Sequence, residues 1–175
     1  QVDAQGNTTT FEYNSHSQLT KITDPTGNVT AYTYDANGNR VSQTDANGNP
    51  TDYAYNYRGQ LTAVQDAMNN VTAYGYGQNG CPTCGGGGVN QLTNIMDAKG
   101  QTTVYQYDRS GRLVGETNPL GNAVSYSYDA NGRPISRTDA NGATIQYTYD
   151  ALGRLVTKRF PDSTTESFTY DAKGN

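Results

Sequence analysis

Two cysteines, one histidine and sixteen acidic residues are the side chains that could do chemistry in this 175-residue chain. Both cysteines lie in Cys81-Pro82-Thr83-Cys84. A C-x-x-C pair is half a zinc site, a redox pair or a local disulfide. Zinc needs two more ligands, and the single histidine, His16, lies far upstream. Haem attachment would need a histidine at position 85, where glycine stands, and a thioredoxin-like motif opens a helix, which Gly85 to Gly88 does not permit. The first reading is a structural loop, with Cys81 and Cys84 bridged in an oxidising compartment. A metal shared with another segment and redox chemistry are the alternatives.

The remaining candidates are weaker. Asp35-Ala36-Asn37-Gly38-Asn39 echoes the start of a calcium loop but lacks the later glutamate. Gly85 to Gly88 is followed by no Lys-Ser or Lys-Thr, so it is no phosphate loop. Serines are plentiful, but a lone histidine makes no predictable triad. Carboxylates recur, yet each belongs to a turn. We therefore expect no catalytic residues, no cofactor and no enzyme. Tyrosine rings at regular spacing could stack on sugars, although rings so spaced more often pack.

What positions these residues is a repeat. Tyr13, Tyr34, Tyr55, Tyr76, Tyr107, Tyr128, Tyr149 and Tyr170 recur at 21-residue intervals, except for the 31 residues from Tyr76 to Tyr107. A fixed period means a repeat array. The longer interval is explained by a ten-residue Cys/Gly-rich insertion, 81–90, expected at a hairpin tip on the edge of the array. The whole chain, 1–175, reads as one array of about eight units, partial at both ends, and so as a piece of a longer one.

Each unit holds two tetrads of the type Asp-x-x-Gly, such as Asp129-Ala130-Asn131-Gly132 and Asp139-Ala140-Asn141-Gly142. A type I turn favours Asp or Asn first, accepts Pro second and favours Gly fourth. Followed by a left-handed residue, it closes a three-residue hairpin loop. Gly38, Gly48, Gly111, Gly132, Gly142 and Gly153 stand where that left-handed residue is needed. Asn69 replaces one such glycine, and Asn14 to Ser17 and Phe160 to Ser163 lack it. Between turns the chain alternates with period two: Val124, Tyr126 and Tyr128 against Ser125 and Ser127. Tight turns at both ends require antiparallel neighbours. The expected fold is all-β, a continuous antiparallel meander, with equivalent tyrosines two strands apart, roughly 9–10 Å. The rings would line one face with a return-strand Leu or Val between them.

Tyr149-Asp150-Ala151-Leu152-Gly153-Arg154-Leu155, Tyr107-Asp108-Arg109-Ser110-Gly111-Arg112-Leu113 and the 21-residue spacing resemble the YD-repeat, or Rhs, family over essentially the whole chain. The resemblance implies a β-strip that spirals into a hollow shell. In many members the shell encloses a C-terminal toxin, and others are large cell-surface or wall-associated proteins.

Composition fits a wall better than a thick core. Only 33% of residues are hydrophobic, mean hydropathy is −0.81, and 15 tyrosines take the place of aliphatics. A tyrosine buries area while keeping a polar tip for water or a partner. Net charge is −4, with a pI near 4.8 and no run of like charge, which argues against nucleic acid or an anionic membrane. No membrane span is visible. Two readings follow. One is a structural wall whose partners are neighbouring repeats and an enclosed C-terminal effector. The other is an extracellular filament or adhesive stalk that self-assembles or binds surface carbohydrate through tyrosine-rich faces. Both place the chain outside the cell or at its surface.

Overall fold

The computed structural model describes residues 1–77, 90–171 and 173–175. The cysteine pair Cys81 and Cys84 and the insertion up to position 89 lie outside the described residues. The chain forms two compact units, Gln1–Tyr74 with Met96–Gly100, and Gly75–Ile95 with Gln101–Asn175. The described residues contain strands and turns, and no helix.

The first unit contains β1 (Thr10–Tyr13), β2 (Leu19–Thr23), β3 (Val29–Tyr34), β4 (Arg40–Thr44), β5 (Pro50–Tyr55), β6 (Leu61–Gln65) and most of β7 (Val71–Tyr76). The second contains most of β8 (Leu92–Met96), then β9 (Thr102–Tyr107), β10 (Leu113–Thr117), β11 (Ala123–Tyr128), β12 (Pro134–Thr138), β13 (Thr144–Tyr149), β14 (Leu155–Arg159) and β15 (Thr165–Ser167). Within each unit, sheet order follows chain order, and every described pairing is antiparallel. This is the meander that the spacing of the turns requires.

Each turn closes in the same way. Gly38 donates its N–H to the Asp35 carbonyl at 3.1 Å, and Asp35 donates its own N–H to the Asn39 carbonyl at 2.9 Å. Gly38 has φ +87°, a conformation that the absence of Cβ makes accessible. The turns without glycine keep this geometry. Asn69 sits at φ +64°, Ser17 at +60° and Ser163 at +70°. Ser17 and Ser163 still donate to the Asn14 and Phe160 carbonyls at 3.0 Å.

The pairs that end in tyrosine carry a bulge. Tyr128 stands opposite Pro134 and Ser127 opposite Ser136, so Ile135 is an extra residue on the return strand. The same shift recurs at Tyr13, Tyr34, Tyr55, Tyr107 and Tyr149. The return pairs run without a shift, as from Gly115↔Ser125 to Thr117↔Ala123. Serines and threonines meet on the face opposite the rings. Ser127 Oγ lies 2.6 Å from Ser136 Oγ, and Thr138 Oγ1 lies 2.9 Å from Thr144 Oγ1.

No hydrophobic side chain among the described residues is fully buried. The rings of Tyr126 and Tyr128 are half-covered. A single sheet layer offers a ring one side to pack against and leaves the other open, so stability comes from neighbouring strands and not from a central core.

Candidate functional site

The bulge creates the site. Because the β10–β11 ladder begins at Gly115, the carbonyl of Leu113 lies beyond its pairs. The phenol of Tyr128 reaches across and donates to that carbonyl at 2.8 Å. The hook recurs: Tyr34 to Leu19 at 2.7 Å, Tyr55 to Arg40 at 3.1 Å, Tyr107 to Leu92 at 2.9 Å, Tyr149 to Pro134 at 2.7 Å and Tyr170 to Leu155 at 2.8 Å. The acceptor is a backbone atom, so the residue there can vary from Leu to Arg to Pro. Tyr13 and Tyr76 occupy the same place at the ends of β1 and β7, and Tyr13 is 60% exposed. Burial pushes the phenols of Tyr107 and Tyr149 above their ordinary value.

The residue after each hooked tyrosine organises the turn. Asp129 Oδ1 accepts the backbone N–H of Asn131 and of Arg133, both at 2.9 Å. Its second oxygen, Oδ2, accepts Arg133 Nε at 2.6 Å. Asp108–Arg112 and Asp150–Arg154 repeat the pair at 2.6 and 2.7 Å. In the first unit neutral amides take the arginine's place: Asn39 Nδ2 donates to Asp35 Oδ2 at 2.9 Å, and Asn56 Nδ2 donates to Gln60 Oε1 at 2.8 Å. These donors hold the carboxyls below their ordinary value. For Asp129 the main cause is the backbone N–H of Arg133, and for Asp35 it is the Asn39 amide. Asp24, held first by the Asn28 amide and then by Thr26, falls to about 2.

The arginines also cover the next ring. The guanidinium carbons of Arg112, Arg133 and Arg154 stand 4.9, 4.9 and 4.6 Å from the ring centroids of Tyr128, Tyr149 and Tyr170. A cation over a ring face contributes about 0.5–1 kcal/mol at exposed sites. In the first unit Arg40 plays a related part, 4.9 Å from the Tyr53 ring and 5.7 Å from that of Tyr32. Return-strand leucines also stand beside the tyrosines, Leu155 opposite Tyr149 and Leu113 opposite Tyr107, and the arginines are an addition to them. The signal was present in the Gly-Arg of Tyr-Asp-x-x-Gly-Arg-Leu.

The two tyrosines of each pair differ. Among the described residues, the hydroxyls of Tyr105, Tyr126 and Tyr147, the first of their pairs, make no hydrogen bond. Arg137, directly opposite Tyr126, makes no ion pair there. The six turn glycines singled out from the sequence all have positive φ: Gly38 +87°, Gly48 +81°, Gly111 +81°, Gly132 +83°, Gly142 +80° and Gly153 +83°.

Among the described residues no group of three His, Cys, Asp or Glu side chains converges to hold a metal. The Asp35 carboxylate is taken up by its own turn. His16 is an exposed turn residue whose N–H bonds to Asn14 Oδ1 at 3.0 Å. The described arrangement is therefore one of latches between repeats. Among the described residues no helix is long and apolar enough to cross a membrane.

The model of the RHS Repeat family matches residues 1–29, 13–50, 88–123, 128–165 and 149–175, more than half of the chain. No curated protein matches the sequence. The crystal structure of TcdB2-TccC3-TEV is similar in fold. It is 15% identical, matches over 95% of this chain and 11% of its own, and has a TM-score of 0.56. A structure of the Photorhabdus luminescens Tc holotoxin pore matches over 95% of this chain and 13% of its own, at 14% identity and a TM-score of 0.42. The chain thus spans about a tenth of the length of the first of these.

Proposed function

The chain belongs to the RHS-repeat family and has a structural repeat role, and from that premise we propose that its strip is part of the wall of a hollow shell or tube that encloses an effector outside the cell. The observation that carries the reading is the hook from six of these tyrosines to the carbonyl fifteen residues back. It joins neighbouring repeats without needing a core, and nothing in it limits the number of repeats. A wall is what such a unit extends into. The same geometry commits the turn carboxylates and hooked phenols to structure, which supports a non-enzymatic role. The effector and the exported location come from the family resemblance, and the TcdB2-TccC3-TEV structure is similar to this chain in fold. The eight hooked or equivalent tyrosines and the six turn glycines are the structural residues of this wall. Electron microscopy of the intact native particle tests it: a closed hollow capsule is the expected result, and a solid filament would overturn it.

A second reading is favoured by the unbonded hydroxyls of Tyr105, Tyr126 and Tyr147 and by Arg137, which stands opposite Tyr126. These groups suit stacking and hydrogen bonding to a surface polysaccharide. Retardation in a native gel containing a soluble neutral glucan, lost in the Tyr126→Ala/Tyr147→Ala variant, would support it; equal mobility with and without glucan would remove it.

A further inference from the structure

Four of the described turns carry one sequence, Asp-Ala-Asn-Gly, at 35–38, 45–48, 129–132 and 139–142. An Asn-Gly pair can react with itself. The glycine backbone nitrogen, its proton lost to solvent, attacks Cγ of the asparagine. A bond forms between that nitrogen and Cγ, the Cγ–Nδ2 bond breaks, and the departing nitrogen takes a proton from water and leaves as ammonia. Water then opens the succinimide at either carbonyl, giving aspartate or isoaspartate. Glycine has no Cβ, so nothing hinders its nitrogen. Asn37, Asn47, Asn131 and Asn141 are all exposed, and nothing within the tetrads distinguishes them.

The fold does distinguish them. Gly38, Gly48, Gly132 and Gly142 donate the attacking N–H to the carbonyls of Asp35, Asp45, Asp129 and Asp139, at 3.1, 3.0, 3.0 and 3.0 Å. The reaction therefore waits for the turn to open locally. Turns 35–38 and 129–132 each follow a hooked tyrosine, and a side chain of the preceding repeat ties each one down. Gln18 Nε2 donates to the Gly38 carbonyl at 3.4 Å, and Arg112 Nη1 donates to the Asp129 carbonyl at 3.0 Å. Turns 45–48 and 139–142 lie at the opposite ends of β4 and β12. Among the described residues no hydrogen bond reaches these two turns from another repeat. A Cβ built on Gly48 or Gly142 meets nothing within 4 Å, whereas on Gly38 it would meet Gln18 Nε2 at 3.3 Å and on Gly132 Arg112 Nη1 at 3.8 Å. Asp45 keeps one side-chain donor, the Asn49 amide at 3.0 Å. The residue in that place after Gly142 is Ala143, which gives Asp139 only its backbone N–H.

We propose that Asn141, and after it Asn47, are sites of spontaneous deamidation and isoaspartate formation, while the identical Asn131 and Asn37 are shielded by the repeat before them. Isoaspartate at 141 routes the backbone through Cβ and moves Gly142 out of reach of the Asp139 carbonyl. It also adds a negative charge. The β12–β13 hairpin would lose its closure, so the strip ages first along the margin that carries no hooks.

The test is incubation of the full chain, folded and in guanidinium chloride, in mildly alkaline buffer, followed by tryptic peptide mapping with mass spectrometry. Cleavage places the four asparagines in separate peptides, 22–40, 41–58, 113–137 and 138–154. In the folded chain Asn141 should convert about tenfold faster than Asn131, the factor by which one charge-assisted hydrogen bond restrains opening. Asn47 should likewise outpace Asn37. In denaturant the four should react alike. Equal folded rates for Asn131 and Asn141, or the same ranking in denaturant, would overturn the proposal. Arg112→Ala should bring Asn131 towards the rate of Asn141 and leave Asn37 as it was; an unchanged Asn131 would refute the shielding.

Discussion

The phenol oxygen of Tyr128 lies 2.8 Å from the carbonyl oxygen of Leu113, fifteen residues earlier in the chain. A bulge leaves that carbonyl outside the β10–β11 ladder pairs, and a side chain from the following repeat satisfies it. The contact ties a local irregularity to the repeat period, since the acceptor and the donor each recur with the motif.

Tyr128→Phe removes this donor and leaves the ring in place. The expected loss is about 1 kcal/mol of unfolding free energy, measured by denaturant titration. Tyr128→Ala also removes the half-covered ring and its contact with Arg112. It should cost about 2 kcal/mol, less than the 3–5 kcal/mol of a fully buried aromatic. Equal losses in the two variants would show that the hydroxyl carries the whole effect.

Gly132→Val forces a β-branched residue into φ +83°. The nearest atom to a new Cβ is Arg112 Nη1 at 3.8 Å, so the cost is backbone strain and not a clash. Left-handed backbone costs an L-residue roughly 1–2 kcal/mol, and branching at Cβ adds to that. The melting temperature should fall; an unchanged melt would refute the role assigned to the turn.

Ser163→Gly is the opposite experiment. Ser163 already holds φ +70°, and glycine relieves that strain while increasing the freedom of the unfolded chain. The two effects oppose each other, and a net gain of about 0.5–1 kcal/mol is expected. Ser17→Gly, at φ +60°, should behave alike. A loss of stability in both would mean that the serine side chains contribute more than the strain costs.

Acid should weaken the strip through its turns. Asp3, Asp24, Asp35, Asp45, Asp66, Asp108, Asp129 and Asp150 all have folded carboxyls below the ordinary 3.8. A lowered folded value means that the charged form is favoured by folding. The stabilisation is complete above the unfolded value and lost as pH falls through the folded ones, which for Asp24 means near 2. Melting temperature should be flat above about pH 5 and fall steadily from about pH 4 to pH 2. Asp24→Asn should lessen the fall, because an amide carbonyl still accepts the turn N–H groups and does not titrate.

The period, the turns and the strand direction were legible in the residues alone, because each depends on groups a few positions apart. Asp35 to Asn39 shows why: the donors, the acceptors and the left-handed residue all lie within one tetrad and its neighbour, and the residue types that can fill those places are few. Even Asn69 betrays the conformation it must adopt. The tertiary structure alone decided which tyrosine of each pair is hooked. That choice depends on a bulge that frees a carbonyl fifteen residues away, and on a register that no local pattern encodes. It also decided that an arginine lies over the Tyr149 ring, which has Leu155 as its partner across the ladder. Arg133 bonds to its own turn and reaches into the next one, a contact set by the distance between strands. Among the described residues no hydrophobic side chain is fully buried, because one sheet layer covers each ring from one side; the tyrosine-rich composition pointed to this, and the alternation by itself did not.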